Sequence, residues 1–193
     1  MGKNTVLSHF LASHPGARYS ISATTRKPRA GEKDGKNYYF YTPEQFGDLL
    51  QAGQLLEWAQ VYDEYYGTPK APIQQCLARG EIIVMDLDVQ GALAVKKSLP
   101  EAVLVFLLPP SLEDLGERMR RRGTECAQAV DRRLAAAKAE ISRARDYDYL
   151  IVNAEVSRAV AQLISIVEAE KLRVSRQSLI LSTLEEGGSI GNC

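Results

Sequence analysis

Hydrophobic positions along the chain alternate between helix-spaced faces and short continuous runs. Val6, Leu7, Phe10 and Leu11 share one helical face near the start. Thr42-Pro43-Glu44-Gln45 supplies an N-cap, a proline at the first helical position and a capping-box glutamine. Phe46, Leu49 and Leu50 come next on one face, and Gly53 is the expected stop. Thr68-Pro69 repeats the device, with Gly80 closing that helix, and Ser111 caps another that should end at Gly123. Val130, Leu134, Ala137 and Ile141 form a further stripe, as do Val160, Leu163, Ile164 and Val167.

Between these faces lie β-rich runs at Tyr19 to Ala23, Ile82 to Asp86, Val103 to Leu108 and Tyr149 to Val152. The runs at 82–85 and 103–108 are apolar without alternation, as strands covered on both faces tend to be. Strand-then-helix repetition predicts an α/β fold with a parallel sheet. The tyrosine-rich segment from Tyr38 to Gly67 breaks that rhythm and reads as an insertion outside the main sheet. The tail from Ser175 to Cys193 has little periodicity, and its end is expected to be mobile.

Composition narrows the picture. The length of 193 residues suits one domain with a sizeable core, and 45% apolar with 25% charged residues is ordinary for a globular protein. Lys plus Arg and Asp plus Glu balance at 24 each, so no global field points to nucleic acid or membrane, and an anion site must come from local clustering. Neither a secretory signal nor a membrane span is visible. Cys76, Cys126 and Cys193 stand far apart, and His9 and His14 are the only histidines, which favours neither a disulfide framework nor a zinc site. A cytoplasmic protein is expected.

The sharpest local chemistry is Thr24-Thr25-Arg26-Lys27-Pro28-Arg29-Ala30-Gly31-Glu32. Pro28 forbids a regular helix, and two arginine forks three apart suit phosphate oxygens. Alone, the segment reads more readily as a solvated basic loop. The downstream segments shift that balance: Gly35-Lys36-Asn37-Tyr38-Tyr39-Phe40, Leu56-Glu57-Trp58-Ala59 and Tyr65-Tyr66-Gly67-Thr68 occur in order. Farther on come Asp86-Leu87-Asp88-Val89-Gln90-Gly91, Leu108-Pro109-Pro110-Ser111, Arg122-Gly123-Thr124 and Ile151-Val152-Asn153. In content and spacing these segments resemble the guanylate kinases over roughly residues 2–170. Tyr41, where the family more often has an aliphatic residue, is a small departure.

The resemblance implies a P-loop kinase fold of three layers with a parallel sheet, a GMP-binding insertion and a lid. Its bounds would be 1–24 core, 25–75 GMP-binding region, 76–117 core, 118–134 lid, 135–175 core and 176–193 tail. It implies a GMP phosphate held by Arg26, Arg29 and Tyr38 with Tyr66 beside it, and guanine read by Ser22, Glu57, Thr68 and Asp88. The base choice has its own chemistry. Guanine offers N1–H and an exocyclic amine side by side, matching an acceptor-only carboxylate, whereas adenine has no such donor pair. Glu57 is therefore the expected determinant of base choice; Tyr38 and Tyr66 could equally be packing residues. Arg118, Arg122 and Arg133 match the lid arginines that close over the ATP phosphates, which suits a reaction governed by alignment and charge neutralisation. Asp86, ending an apolar strand, is a candidate partner for Mg²⁺, directly or through water.

The chain opens Met1-Gly2-Lys3-Asn4-Thr5, the end of a G-x-x-x-x-G-K-[ST] loop. Gly2, Lys3, Asn4 and Thr5 are the ATP-side candidates, Lys3 as a catalytic cation and Thr5 as the hydroxyl nearest to a metal ligand, since Asn4 stands where Ser or Thr is usual. The first loop glycine, three spacer positions and the preceding strand are not in this sequence. The expectation is an N-terminal truncation within the loop, a sheet without its first core strand, and weakened folding or ATP binding. The expected reaction is ATP + GMP ⇌ ADP + GDP with Mg²⁺, in purine nucleotide metabolism, with no nucleic-acid or membrane partner and self-association open. The competing reading is a guanylate-kinase-like binding module for phosphorylated or acidic peptides.

Overall fold

The computed structural model describes residues 2–61, 63–121, 127–187 and 189, and at 118, 119, 121, 127–133 and 179 the backbone alone. In chain order the first elements are α1 (Lys3–Ser13), β1 (Ala17–Tyr19), β2 (Ala23–Thr24), β3 (Tyr39–Phe40), α2 (Pro43–Gln51), β4 (Leu55–Val61) and β5 (Glu64–Pro69). Next come α3 (Lys70–Ala78), β6 (Ile82–Val84), α4 (Val89–Ser98), β7 (Val105–Leu108) and α5 (Leu112–Arg121). The chain continues through α6 (Ala127–Ser142), β8 (Tyr149–Val152), α7 (Val156–Lys171) and α8 (Ser178–Glu185).

Two parallel pairs carry the main core: β1 with β6, and β7 with β8. Among the described residues no ladder joins one pair to the other. They are bridged by packing instead. Val6 and Phe10 of α1 are buried with Ala17, Ile151, Ala159 and Val160, and Ile82, Val84, Val105 and Leu107 pack against that cluster. The α1 face read from the sequence is therefore the one that closes the core, and Phe10, fully buried, is worth roughly 1.5–3 kcal/mol by apolar transfer. The α7 stripe faces it through Val160, Leu163, Ile164 and Val167. Among the described residues no helix is long and apolar enough to cross a membrane.

The insertion forms a separate four-stranded sheet in the order β3-β2-β5-β4. Its small core gathers Ala23, Phe46 and Leu55, with Tyr39, Tyr41, Leu49 and Tyr65 around them. Helix α2 starts and stops as expected: both arms of the Thr42–Gln45 capping box are made, and Gly53 lies just beyond its end at φ 62°.

Three local expectations differ. The run from Tyr19 to Ala23 is divided between two sheets: β1 ends at Tyr19, Ser20 N–H still donates to Val84 carbonyl oxygen at 2.9 Å, and β2 begins at Ala23 in the insertion. Thr68 does not cap α3. It is the buried penultimate residue of β5, Pro69 takes the cap position, and the hydroxyl is used elsewhere. The tail contains α8, anchored upstream by Arg176, which donates to Glu101 carbonyl oxygen at 2.8 Å and pairs with the buried Glu170. The expected end of α5 at Gly123 lies outside the described residues, whereas Ser111 accepts from Asp114 N–H at its start.

Candidate active site

Recognition chemistry gathers where the insertion meets the carboxyl end of β6. A cleft of about 230 Å³ there is lined by Ser22, Tyr38, Glu57, Tyr66, Asp86, Asp88 and Gly91, among others. A larger open cleft of about 350 Å³ over Leu150, Ile151 and Arg158 touches none of the catalytic, nucleotide-binding or metal candidates named from the sequence.

Glu57 owes its direction to a bulge. Leu55 pairs with Pro69 and Trp58 with Gly67, so two β4 residues, Leu56 and Glu57, oppose the single Thr68 of β5. The Thr68 hydroxyl donates to Glu57 Oε1 at 2.5 Å. Burial pushes the Glu57 carboxyl above the usual range; the Thr68 bond opposes that rise and the negative charge of Asp88 adds to it. Asp88 caps α4, accepting from Gly91 N–H at 2.8 Å through Oδ1. Two carboxylates thus converge on one face of the cleft, and such a pair costs energy unless donors arrive between them.

Arg26 stands at the other end. Its Nη1 and Nη2 donate to the two oxygens of Glu32 at 3.0 and 2.9 Å, and Nη1 also donates to Lys27 carbonyl oxygen at 2.8 Å. The pair is largely shielded, with side chains 16% and 19% exposed. The guanidinium lies over the rings of Tyr38 (5.4 Å) and Phe40 (5.8 Å), and the Tyr66 ring meets that of Tyr38 edge-on at 6.1 Å. Of five guanidinium N–H groups these bonds take three, so Nε–H and one Nη2–H are not used by Glu32 or Lys27. The Tyr66 hydroxyl interacts with that guanidinium. Bonds from Arg26 and from Arg29 N–H (2.7 Å) hold the Glu32 carboxyl below the usual carboxylate range. The Arg29 side chain is exposed beside it. Sequence reasoning gives Glu32 no role of its own within the motif; its spacing of six from Arg26, across a proline and a glycine, is the signal that could find it.

On the opposite side Gly2, at φ 78°, leads α1, and a Cβ there would stand 2.9 Å from Asn153 Nδ2. Glycine is needed twice over, for backbone sign and for space. Lys3 Nζ lies 3.0 Å from Asp86 Oδ1, an ion pair short of hydrogen-bond geometry, and donates to Leu87 carbonyl oxygen at 3.3 Å. Asn4 and Thr5 are exposed in the first turn of α1, whose free N–H groups favour an anion. The side chains of Arg118 and Arg133, and the whole of Arg122, lie outside the described residues.

The two sides meet in one short stretch: Asp86 and Leu87 receive Lys3, and Asp88 stands with Glu57. Tyr19, at the end of β1, belongs to the same neighbourhood; burial, then the charge of Asp86 and the phenol of Tyr38, raise its hydroxyl above its ordinary value. In the sequence it passes for a strand residue and nothing more.

A lysine at a helix start facing an aspartate just beyond a strand, on a mixed α/β core with parallel strands, is the arrangement of the P-loop kinase fold. The family profile described as guanylate kinase matches residues 1–170. The guanylate kinase of Clostridioides difficile (strain 630) is 42% identical over 186 residues, covering 96% of this chain and 91% of that protein. That of Symbiobacterium thermophilum is 46% identical over 191 residues, covering 98% and 90%. The crystal structure of guanylate kinase from Anaplasma phagocytophilum superposes with a TM-score of 0.76 at 34% identity, covering 95% of this chain and 89% of that one. This chain belongs to the guanylate kinase family.

Proposed function

We infer that this chain transfers the γ-phosphoryl group of ATP to GMP, giving ADP and GDP. The observation that carries the reading is the stretch 86–88 along one cleft, where Asp86 pairs with Lys3 at one end and Asp88 stands with Glu57 at the other. Donor and acceptor sites separated by two residues suit in-line transfer between two bound nucleotides.

On this reading Glu57, ionised, accepts from guanine N1–H and its amine. Thr68 fixes one carboxylate oxygen, and Asp88 and Ser22 complete the base edge. Arg26, through its remaining N–H groups, grips the GMP phosphate with Arg29, Tyr38 and Tyr66. Lys3, delivered at the start of α1, neutralises the transferring phosphoryl group, with Arg118, Arg122 and Arg133 assigned to the ATP phosphates from a lid over 118–134. The core segments 1–24, 76–117 and 135–175 would stay fixed while 25–75 and the lid move; 176–193 is a tail.

The oxygen chemistry fits Mg²⁺. Asp86 offers a largely buried carboxylate, 16% exposed, beside the Lys3 cation, and Thr5 in the first turn of α1 offers an exposed hydroxyl. Asp86, directly or through water, and Thr5 would hold it. When bound, Mg²⁺ would neutralise phosphate charge. A cytoplasmic location is proposed with the activity.

The test is ADP formation by this chain with MgATP and either GMP or AMP. Turnover with GMP at least about a hundredfold faster than with AMP is expected, given a site that pairs its buried acceptors only with guanine. Equal rates would overturn the assignment, and GMP binding without turnover would favour the peptide-binding module.

A further inference from the structure

The Glu57–Asp88 pair converges on a position that has no side chain. Gly91 is the third residue of α4, buried, with ordinary helical backbone. A Cβ built there would stand 3.2 Å from Glu57 Oε2, 3.3 Å from Asp88 Oδ1 and 3.6 Å from Glu57 Cδ. The first two distances are tighter than about nine in ten real Cβ contacts, so a neighbour would have to shift by a few tenths of an ångström.

The two neighbours are not equally free. Asp88 Oδ1 is tied to α4 by the N–H of Gly91 itself, at 2.8 Å. Among the described residues Glu57 is held at one oxygen only, Oε1, by Thr68. The displacement therefore falls on Oε2, the carboxylate pivoting about the Thr68 bond. Two-point recognition of N1–H and an adjacent amine requires both oxygens in the plane of the base, so a pivot spoils the second bond before the first. Backbone preference gives no reason for glycine here. The Gly91 φ lies outside the left-handed region and alanine has the higher helix propensity, so neither backbone sign nor propensity asks for glycine in this first turn.

We propose that Gly91 is a specificity-determining position of this enzyme, where the missing side chain lets the Glu57 carboxylate lie flat against the guanine edge. The inference rests on the assignment of Glu57 to the base. Gly91 touches no reacting atom; it is a positioning residue that acts through Glu57.

The test compares Gly91→Ala and Gly91→Ser with the parent chain, using GMP and inosine monophosphate as acceptors. Inosine monophosphate keeps N1–H and lacks the amine, so the GMP-to-IMP ratio of kcat/KM reads the second bond alone. Both variants carry the same Cβ but differ in helix propensity. The expected result is a KM for GMP raised about tenfold in both, a ratio collapsing toward one, and an unchanged KM for ATP. The melting temperature should hold or rise for alanine, so loss of fold is read separately from loss of recognition. A retained GMP-to-IMP ratio in either folded variant would overturn the proposal. Glu57→Gln, run in parallel, separates the two failures: if it also leaves GMP-over-AMP preference intact, the base assignment falls; if it abolishes that preference while Gly91→Ala does not, only Gly91 falls.

Discussion

The acceptor half and the donor half of this cleft are built by different means. Around the acceptor, Ser22, Arg26, Tyr38, Glu57, Tyr66 and Thr68 come from one sheet and its loops, and they hold each other: Glu57 by Thr68, Arg26 by Glu32, Tyr38 by Tyr66. Each contact spans a few dozen positions at most. On the donor side Lys3 reaches Asp86 and Leu87 across more than eighty positions, and α1 is held by apolar packing on α7 and two parallel pairs that no ladder joins among the described residues. A locally closed network keeps its geometry when one member is lost. A site made by one long-range ion pair does not. Substitutions on the two sides should therefore separate binding from turnover.

The largest separation is expected at Lys3. Lys3→Ala removes the only described cation facing Asp86 and leaves that carboxylate unpaired next to the transferring phosphoryl group. Turnover should fall by about a thousandfold or more, the scale set by charge-stabilising groups in phosphoryl transfer. GMP affinity, measured by calorimetry without ATP, should stay within about twofold. If GMP affinity falls in step with turnover, the two halves are not independent.

A smaller effect, confined to the acceptor, is expected at Glu57. Glu57→Gln should weaken GMP by about a hundredfold, because the amide NH₂ meets guanine donors with a donor and leaves them unpaired. The pH dependence carries its own sign. Burial, with Asp88 nearby, raises the Glu57 pKa, so the ionised form that accepts from guanine is lost as pH falls through a midpoint above the ordinary carboxylate range. The KM for GMP should rise there and the KM for ATP should not. Stability should respond the other way: with the folded pKa above the unfolded one, the folded state binds the proton more tightly. Raising pH from the ordinary value to the shifted one should then lower stability. A GMP-binding limb that survives in Glu57→Gln would assign it to another group.

Legibility in the sequence divides along the same line. Helix starts such as Thr42-Pro43 and the buried faces of α1 and α7 are readable because capping and 3.6-residue spacing are local. The linear motif around Arg26 and the positions of Glu57, Tyr66 and Asp88 are readable as residues. The bulge opposing Leu56 and Glu57 to Thr68 is not, because register depends on the partner strand, and so Thr68 passes for a helix cap. The break after Tyr19 is hidden for a related reason: a continuous β-rich run does not reveal that its two ends bond to different sheets. Helix α8 is short, and the tie from Arg176 to Glu101 just before it lies outside any local window.

Glu32 gives the mildest test of the comparison. It carries no charge that a phosphate needs, and a dianion should be repelled by it. Yet it takes two guanidinium N–H groups of Arg26, accepts the amide of Arg29 and so fixes both arginines of the motif to one point. The Arg26 guanidinium is then held in one orientation, and that long side chain need not be ordered when GMP arrives. Glu32→Gln keeps the shape while giving up one charge-assisted bond. If preorganisation outweighs repulsion, the KM for GMP should rise about fivefold to tenfold, with kcat changed less than twofold. Guanosine, which has no phosphate, should bind as before. A lower KM for GMP would mean that Glu32 competes with the phosphate for Arg26, and the acceptor half would then include a carboxylate that must be displaced on binding.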